Sequence, residues 1–261
     1  MARSSQRLLP LDEALRRLHP FARFQLGVRP IPIGQIVGSD GRVADFDRRF
    51  VPRRRQSVAR LRELGRAFPG GDFPPIAVHQ LGDTYFVVDG HHRVALARRR
   101  GMETIDADVT VVHARWRLRV DAGHEDLVHA EQEWLFMRES GLGETRPEIL
   151  IRLSEPIGYS QLLAGVETHG YRMAFAAGEL IPRSAVAGDW YDRVYLPAVA
   201  AIERERIEGI CANATPADRF LWVGRLEREL RLDSRFATFE DAVRRAACEQ
   251  GVRRRRPGRR R

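Results

Sequence analysis

Lysine is absent from this 261-residue chain, so all 44 of its basic side chains are arginine. A GC-rich coding bias can produce such an excess, and the high isoelectric point therefore does not by itself identify a polyanionic partner. Cysteine is nearly absent: Cys211 and Cys248 have neither CxxC spacing nor neighbouring histidines, which excludes a disulfide framework or a structural zinc site. Both are read as buried small apolar residues. Long apolar runs are also missing. The first 17 residues are interrupted by Arg3, Arg7, Asp12 and Glu13, which excludes a signal peptide, and nothing approaches a membrane-spanning length. The expectation is a cytoplasmic protein with no membrane partner. No repeat of fixed period is present, and only the arginine-rich end is of low complexity.

What is present is charge in blocks. Residues 1–118 hold 21 Arg against 12 acids, residues 119–252 hold 16 against 23, and residues 253–261 hold 7 Arg and no acid. A basic front, an acidic middle and a basic end suit two domains and a tail. With 43% hydrophobic residues the chain can bury a real core.

Local patterns divide the chain in the same way. Apolar residues at Leu8, Leu11, Leu15 and Leu18 predict a short amphipathic helix after Pro10. The run over 28–37 alternates like a strand, with Pro30 and Pro32 confining it to a sheet edge, and a turn follows at 38–41. Residues 57–68 predict a helix ended by Pro69-Gly70-Gly71. Residues 76–79 and 84–88 predict a hairpin, 90–100 a helix ended by Gly101, and 105–112 a further strand. From about residue 118 the pattern is helical, with helices predicted over 125–139, 160–165, 189–207, 216–230 and 239–250. Thr215-Pro216-Ala217-Asp218 is a strong helix start, with Phe220, Val223, Leu226 and Leu230 as its buried stripe.

The segment Val88-Asp89-Gly90-His91-His92-Arg93 carries the chemistry. A strand that ends in Asp-Gly and turns directly into a helix presents that helix's free N–H groups at the mouth of the turn, where an anion is favoured. Gly90 permits close approach, His91 and His92 can donate hydrogen bonds, and Arg93 can offer a fork to phosphate oxygens. Asp89 would repel phosphate unless it holds a metal ion, takes a proton from a nucleophile or pins a histidine. The bland alternative is a capping aspartate beside surface histidines.

The stretch from Pro74 to Val112, with Y-F-V-V-D-G-H-H-R-V-A and a glycine eight residues after Arg93, resembles the central motif of the ParB/sulfiredoxin superfamily. The resemblance covers roughly residues 28–115. It implies a small mixed-sheet domain whose turn at Gly90, His91, His92 and Arg93 cradles nucleotide phosphates, with ATP, ADP or CTP, and Mg²⁺, as cofactors. Sulfiredoxins place a reactive cysteine where this chain has His91, so sulfinic-acid reduction is not implied. Partition proteins place an acid at His91 and an arginine at His92, so their CTP switch is not implied either. Free-serine kinases, with Asp-Gly-His-Thr-Arg, are the most similar, aligning with Asp89, Gly90, His91 and Arg93. In that reading Asp89 and His91 are the catalytic candidates. Upstream, residues 36–50 resemble the first box of such domains, which implies that Arg42, Asp45 and Arg48 face the Asp89 turn; a solvated charged loop is the alternative. Arg53, Arg54 and Arg55, with Arg60 and Arg62, can contact a nucleic-acid backbone or form a solvated face.

His169-Gly170-Tyr171-Arg172, residues 190–197 and Thr215 to Trp222 resemble the helical domain of a ParB-like subgroup of unassigned role. Trp190, Val194, Ala198, Ala201 and Ile202 fall near helical spacing and are read as packing residues, with Pro197 kinking or breaking the helix. The expected architecture is α+β: a ParB/sulfiredoxin-like domain over 1–118, an all-helical domain over 119–252 and a disordered tail over 253–261. The leading function is nucleotide binding, as a phosphotransferase or nucleotide-gated regulator with no resident metal site. The alternative is a DNA-binding partition or regulatory protein that uses the basic N-terminal half and the tail.

Overall fold

A computed structural model describes residues 7–208, 213–234 and 237–255. The chain forms two compact units that divide between Glu131 and Gln132. The first is built on a six-stranded mixed sheet of β1 (Leu9–Pro10), β2 (Ala22–Pro32), β3 (Ile36–Ser39), β4 (Ile76–Leu81), β5 (Thr84–Asp89) and β6 (Thr104–His113). Their spatial order is β1-β3-β5-β4-β6-β2. The β4–β5 hairpin is antiparallel, whereas β3 runs parallel to β5 and β4 parallel to β6. Pro30 and Pro32 lie in β2, which pairs only with β6 at the sheet edge, where a missing donor disrupts no ladder.

Successive side chains of a strand point to opposite faces, and here both faces are apolar. Tyr85 and Val87 of β5 join Ile36, Ile76, Val78, Ile105 and Val109 in one layer with Leu61 and Leu96. Those last two come from α2 (Arg55–Ala67) and α3 (His91–Arg99). Phe86, between them in β5, points the other way and joins Val37, Val112, Leu118 and Leu127 beside α1 (Leu11–Leu18). This second layer moves the boundary of the unit. The change of pattern lies at 118, but Leu118, Ala122, Leu127 and Ala130 are buried in the core of the first unit, which runs on to Glu131.

The second unit is helical. After α4 (His124–Ser140) come α5 (Leu142–Thr145), α6 (Gly158–Ala177), α7 (Arg183–Trp190), α8 (Leu196–Arg204), α9 (Pro216–Asp233) and α10 (Phe239–Arg255). The predicted helix at 160–165 is the start of the much longer α6, whose Leu162 and Val166 are buried. The predicted helix over 189–207 is interrupted. A π-helical turn at Tyr191–Tyr195 separates α7 from α8, whose first turn contains Pro197. A proline ring cannot donate and crowds the carbonyl four residues earlier, and a widened turn relieves both conflicts. Trp190, Ala198 and Ile202 are buried as packing residues. At Thr215 both arms of a capping box form: the Asp218 N–H donates to Thr215 Oγ at 3.1 Å and the Thr215 N–H to Asp218 Oδ2 at 2.8 Å.

Two expectations change. Cys248 is exposed rather than buried, on the polar side of α10, and Cys211 lies outside the described residues. Helix α10 runs to Arg255, so it takes in the first part of the expected tail; residues 256–261 lie outside the described residues. No helix among the described residues is long and apolar enough to cross a membrane.

Candidate functional site

The last residue of β5, Asp89, is followed by Gly90 in a left-handed conformation with φ +98°. A side chain is excluded there twice over, because a Cβ would also lie 2.4 Å from Ile76 Cγ2. Gly90 is the N-cap of α3 and supplies no side-chain cap; the first intrahelical bond runs from the Val94 N–H to the Gly90 carbonyl at 3.0 Å. The N–H groups of His91, His92 and Arg93 precede the helical ladder and point at the mouth of the turn with the positive end of the helix dipole.

The loop between β3 and α2 lies over this mouth and explains the two histidines. His91 is 3% exposed, and its Nε2 lies 2.7 Å from Oγ of Ser39, the last residue of β3. The Phe46 ring stacks on it at 6.0 Å and 18°, with Phe50 at 6.4 Å. Phe46 also meets His92 edge-on at 5.3 Å. The loop is held in shape by Asp47, whose Oδ1 accepts the N–H groups of Arg49 and Val51, both at 2.9 Å. Burial, and after it the Arg42 guanidinium, pushes the His91 imidazole down from its ordinary value to about 4. Burial and then Arg42 and Arg60 also lower His92. Near pH 7 a neutral His91 is a polar wall rather than a cation. Nε2 of His92 is buried with no hydrogen-bond partner among the described residues.

The arginines divide into two groups. Arg42 stays at the mouth, its guanidinium 5.6 Å from the Phe46 centroid and paired with Asp45 at 2.9 Å; Arg54 holds the other oxygen of Asp45 at 3.0 Å. Arg48 does not face the turn as expected. Its NH2 donates to the carbonyls of Val120 and Ala122 at 2.8 and 2.9 Å, which ties the loop to the end of the first unit. Arg93 is also occupied. Its NH1 donates to the carbonyls of Pro74 and Pro75, each at 2.7 Å, and its NH2 to Asp89 at 2.5 Å, leaving the side chain 16% exposed. Asp89 is 76% exposed and bonds to Arg93 rather than to either histidine. Arg53 and Arg55 are exposed, with no ion pair among the described residues. Nor do the described residues gather three His, Cys, Asp or Glu side chains into a metal-holding group.

The structure thus brings together Gly90, His91, His92, Arg42 and Asp45, together with the backbone of Arg93. It adds Ser39, Phe46 and Phe50, which the sequence reading left without a role. All three lie within residues 36–50, the stretch that resembles the first box, but nothing in the sequence marks them individually. Residues 43–124 match the family model of the ParB N-terminal domain; the match takes in the loop from Val43 onward, α2, the hairpin, α3 and β6, and begins just after Ser39 and Arg42. No curated protein matches the chain.

Proposed function

We propose that the N-terminal unit binds the phosphates of a nucleotide at the N-terminus of α3, and that the bound nucleotide acts as a regulatory ligand. The observation that carries this reading is the helix start at Gly90. It is a helix N-terminus without a side-chain cap, beside a buried His92 Nε2 that has no hydrogen-bond partner among the described residues, with Arg42, paired to Asp45, close enough to lower the His92 imidazole. The match to the ParB N-terminal domain over residues 43–124, which takes in Gly90 and His92, supports it. Of the two catalytic candidates, His91 is buried and engaged with Ser39, and Asp89 is held by Arg93, so the geometry favours binding over phosphoryl transfer. Calorimetric titration with ATP, ADP, CTP and GTP, with and without Mg²⁺, tests this. One of them is expected to bind, and Arg42→Ala is expected to weaken it about tenfold through loss of one charge-assisted contact. Failure of all four to bind would overturn the reading.

A second reading has its own support. Arg53, Arg55, Arg62 and Arg66 are exposed at and along α2 and make no ion pair among the described residues, which is the footprint a nucleic-acid backbone requires. Binding to duplex DNA that needs no nucleotide and falls steeply between low and physiological salt would favour it.

A further inference from the structure

The helical unit contains a cleft of about 430 Å³ between α6 and α9 that the phosphate-binding reading does not use. Its position follows from two helical stripes. Residues 161, 164, 165, 168, 169 and 172 of α6 share one face, and residues 220, 221, 224, 227, 228 and 231 of α9 share another. The centres of both stripes are nearly without side chains, at Ala164 and Gly165 on one helix and Gly224 on the other. A glycine inside a helix costs about 1 kcal/mol relative to alanine, so two glycines facing one space require a reason. The surroundings do not force them. A Cβ at Gly224 would meet nothing within 4 Å, and one at Gly165 would meet only Trp190 Nε1, at 3.8 Å. Their effect is to keep the cleft open.

The walls are aromatic and the mouth is cationic. Trp190 and Phe220 stand edge to face at 6.0 Å, and Phe239 continues the wall 6.0 Å from Phe220. Trp190 ends α7 where the π-helical turn begins, and Val194 within that turn lines the same cleft. Such turns re-aim side chains and recur at ligand sites. At the mouth, His169 is held by Asp189 at 2.7 Å and Arg231 by Glu227 at 2.6 Å. Arg172 and Arg228 are exposed and have no carboxylate partner among the described residues. This is a local excess of positive charge within the acidic half of the chain, where 23 acids face 16 arginines over residues 119–252. The volume is that of a small-molecule pocket.

We propose that this cleft binds a small aromatic carboxylate, with the ring over Gly165 and Gly224 against the part-exposed Phe220 and Phe239, which the buried Trp190 backs, and the carboxylate on Arg172 and Arg228. The test uses the full chain, with 1-naphthoate as ligand, the neutral 1-naphthalenemethanol as its comparison and the fluorescent anion 8-anilinonaphthalene-1-sulfonate as reporter. Naphthoate is expected to displace the reporter from a single site and to bind more than tenfold tighter than the alcohol. Gly224→Leu fills the cleft and is expected to abolish both binding events while leaving circular dichroism unchanged and the melting temperature no lower than that of the native chain. Arg172→Gln/Arg228→Gln, which leaves the walls intact, is expected to remove the preference for the anion and keep the weak binding of the alcohol. Equal affinity for acid and alcohol in the native protein overturns the proposal, as does reporter binding untouched by Gly224→Leu. If Gly224→Leu does not fold, the arginine pair decides alone, and an unchanged preference for naphthoate in that variant rejects the site.

Discussion

Replacing Arg93 by alanine separates two roles that one side chain could have at the turn. If Arg93 is a phosphate ligand, the substitution weakens ligand binding and leaves the fold intact. The structure gives the guanidinium other work: two bonds of 2.7 Å to the carbonyls of Pro74 and Pro75 and one of 2.5 Å to Asp89, with the side chain only 16% exposed. Proline precludes an N–H at both positions but leaves the carbonyls, and without Arg93 these acceptors at the entrance to β4 lose their donor. Each charge-assisted bond contributes about 1.5 to 3 kcal/mol. The pair with Asp89 adds less than about 1, because that carboxylate is 76% exposed and screened. Taking the lower figure for each carbonyl bond, Arg93→Ala should cost about 3 kcal/mol, a fall of roughly 10 °C in the melting temperature of a unit this size. Asp89→Asn, which removes only the exposed pair, should shift it by less than about 3 °C. It should also strengthen phosphate binding by removing a negative charge from the mouth. Thermal denaturation followed by circular dichroism reads the first effects, and titration of the folded variants reads the last. A melting temperature for Arg93→Ala within about 2 °C of the native value, together with lost nucleotide affinity, would refute the clamp and restore the ligand role.

Three further outcomes follow from other contacts. The folded pKa of His91 lies near 4, below the 6.5 of the unfolded chain, so between those values the unfolded state binds the extra proton. Its contribution is therefore fully present above pH 6.5 and lost as the pH falls towards 4, by up to about 3 kcal/mol. Urea denaturation at pH 4.5 and 7 should show a smaller acid loss for His91→Gln than for the native chain, and equal losses would contradict the burial argument. Gly90→Ala forces a side chain into positive φ and against Ile76, and should cost about 2 to 4 kcal/mol in urea; a cost below about 1 would mean that the turn relaxes. Asp218 accepts N–H bonds from both Thr215 and Ser154, so Asp218→Ala should destabilise the helical unit by about 2 kcal/mol, measured as an earlier urea midpoint.

Features set by neighbouring residues were legible before the structure. The hairpin from Ile76 to Asp89, the helix that follows Gly90 and the capping box at Thr215 depend on residues a few positions apart, and each lies where its pattern places it. The sheet order was not legible, because parallel pairing of β3 with β5 joins segments nearly fifty residues apart and leaves no periodic trace. At the site, the glycine and the helix start could be read, whereas the partners of the arginines could not. Arg48 and Arg93 bond to backbone carbonyls, and a carbonyl has no letter in the sequence. The same limit hid the stacking of Phe46 on His91, since an aromatic residue in a charged loop looks like any other loop residue until the loop folds back. The extension of the first unit to Glu131 was masked by helical periodicity that begins before the sheet's second layer is complete.

The absence of lysine acquires a structural meaning from these contacts. In the first unit Arg98 donates to the carbonyls of Ile33, Ile36 and Arg48, and Arg100 donates to those of Gly65 and Phe68 at the end of α2. With Arg48 and Arg93, four guanidinium groups tie loop carbonyls together, a task that suits a planar fork with five donors better than a single ammonium. Arg42 and Arg54 share Asp45. The basic count of the N-terminal half therefore overstates the charge available to a polyanion. Arginines whose donors are spent on carbonyls keep their charge but have fewer donors left for phosphates, so they displace few of a polyanion's condensed counterions. Exposed arginines without an ion pair among the described residues remain at Arg53, Arg55, Arg62 and Arg66 at and along α2, and also at Arg7, Arg23, Arg29, Arg49 and Arg99; Arg42 would join them if phosphate competed with Asp45. On the proposed reading, a phosphate seated at Gly90 would compete with Asp45 for Arg42, and Asp45→Asn would then be expected to strengthen its binding and to loosen the loop above the histidines, which Arg42 and Arg54 hold through that carboxylate.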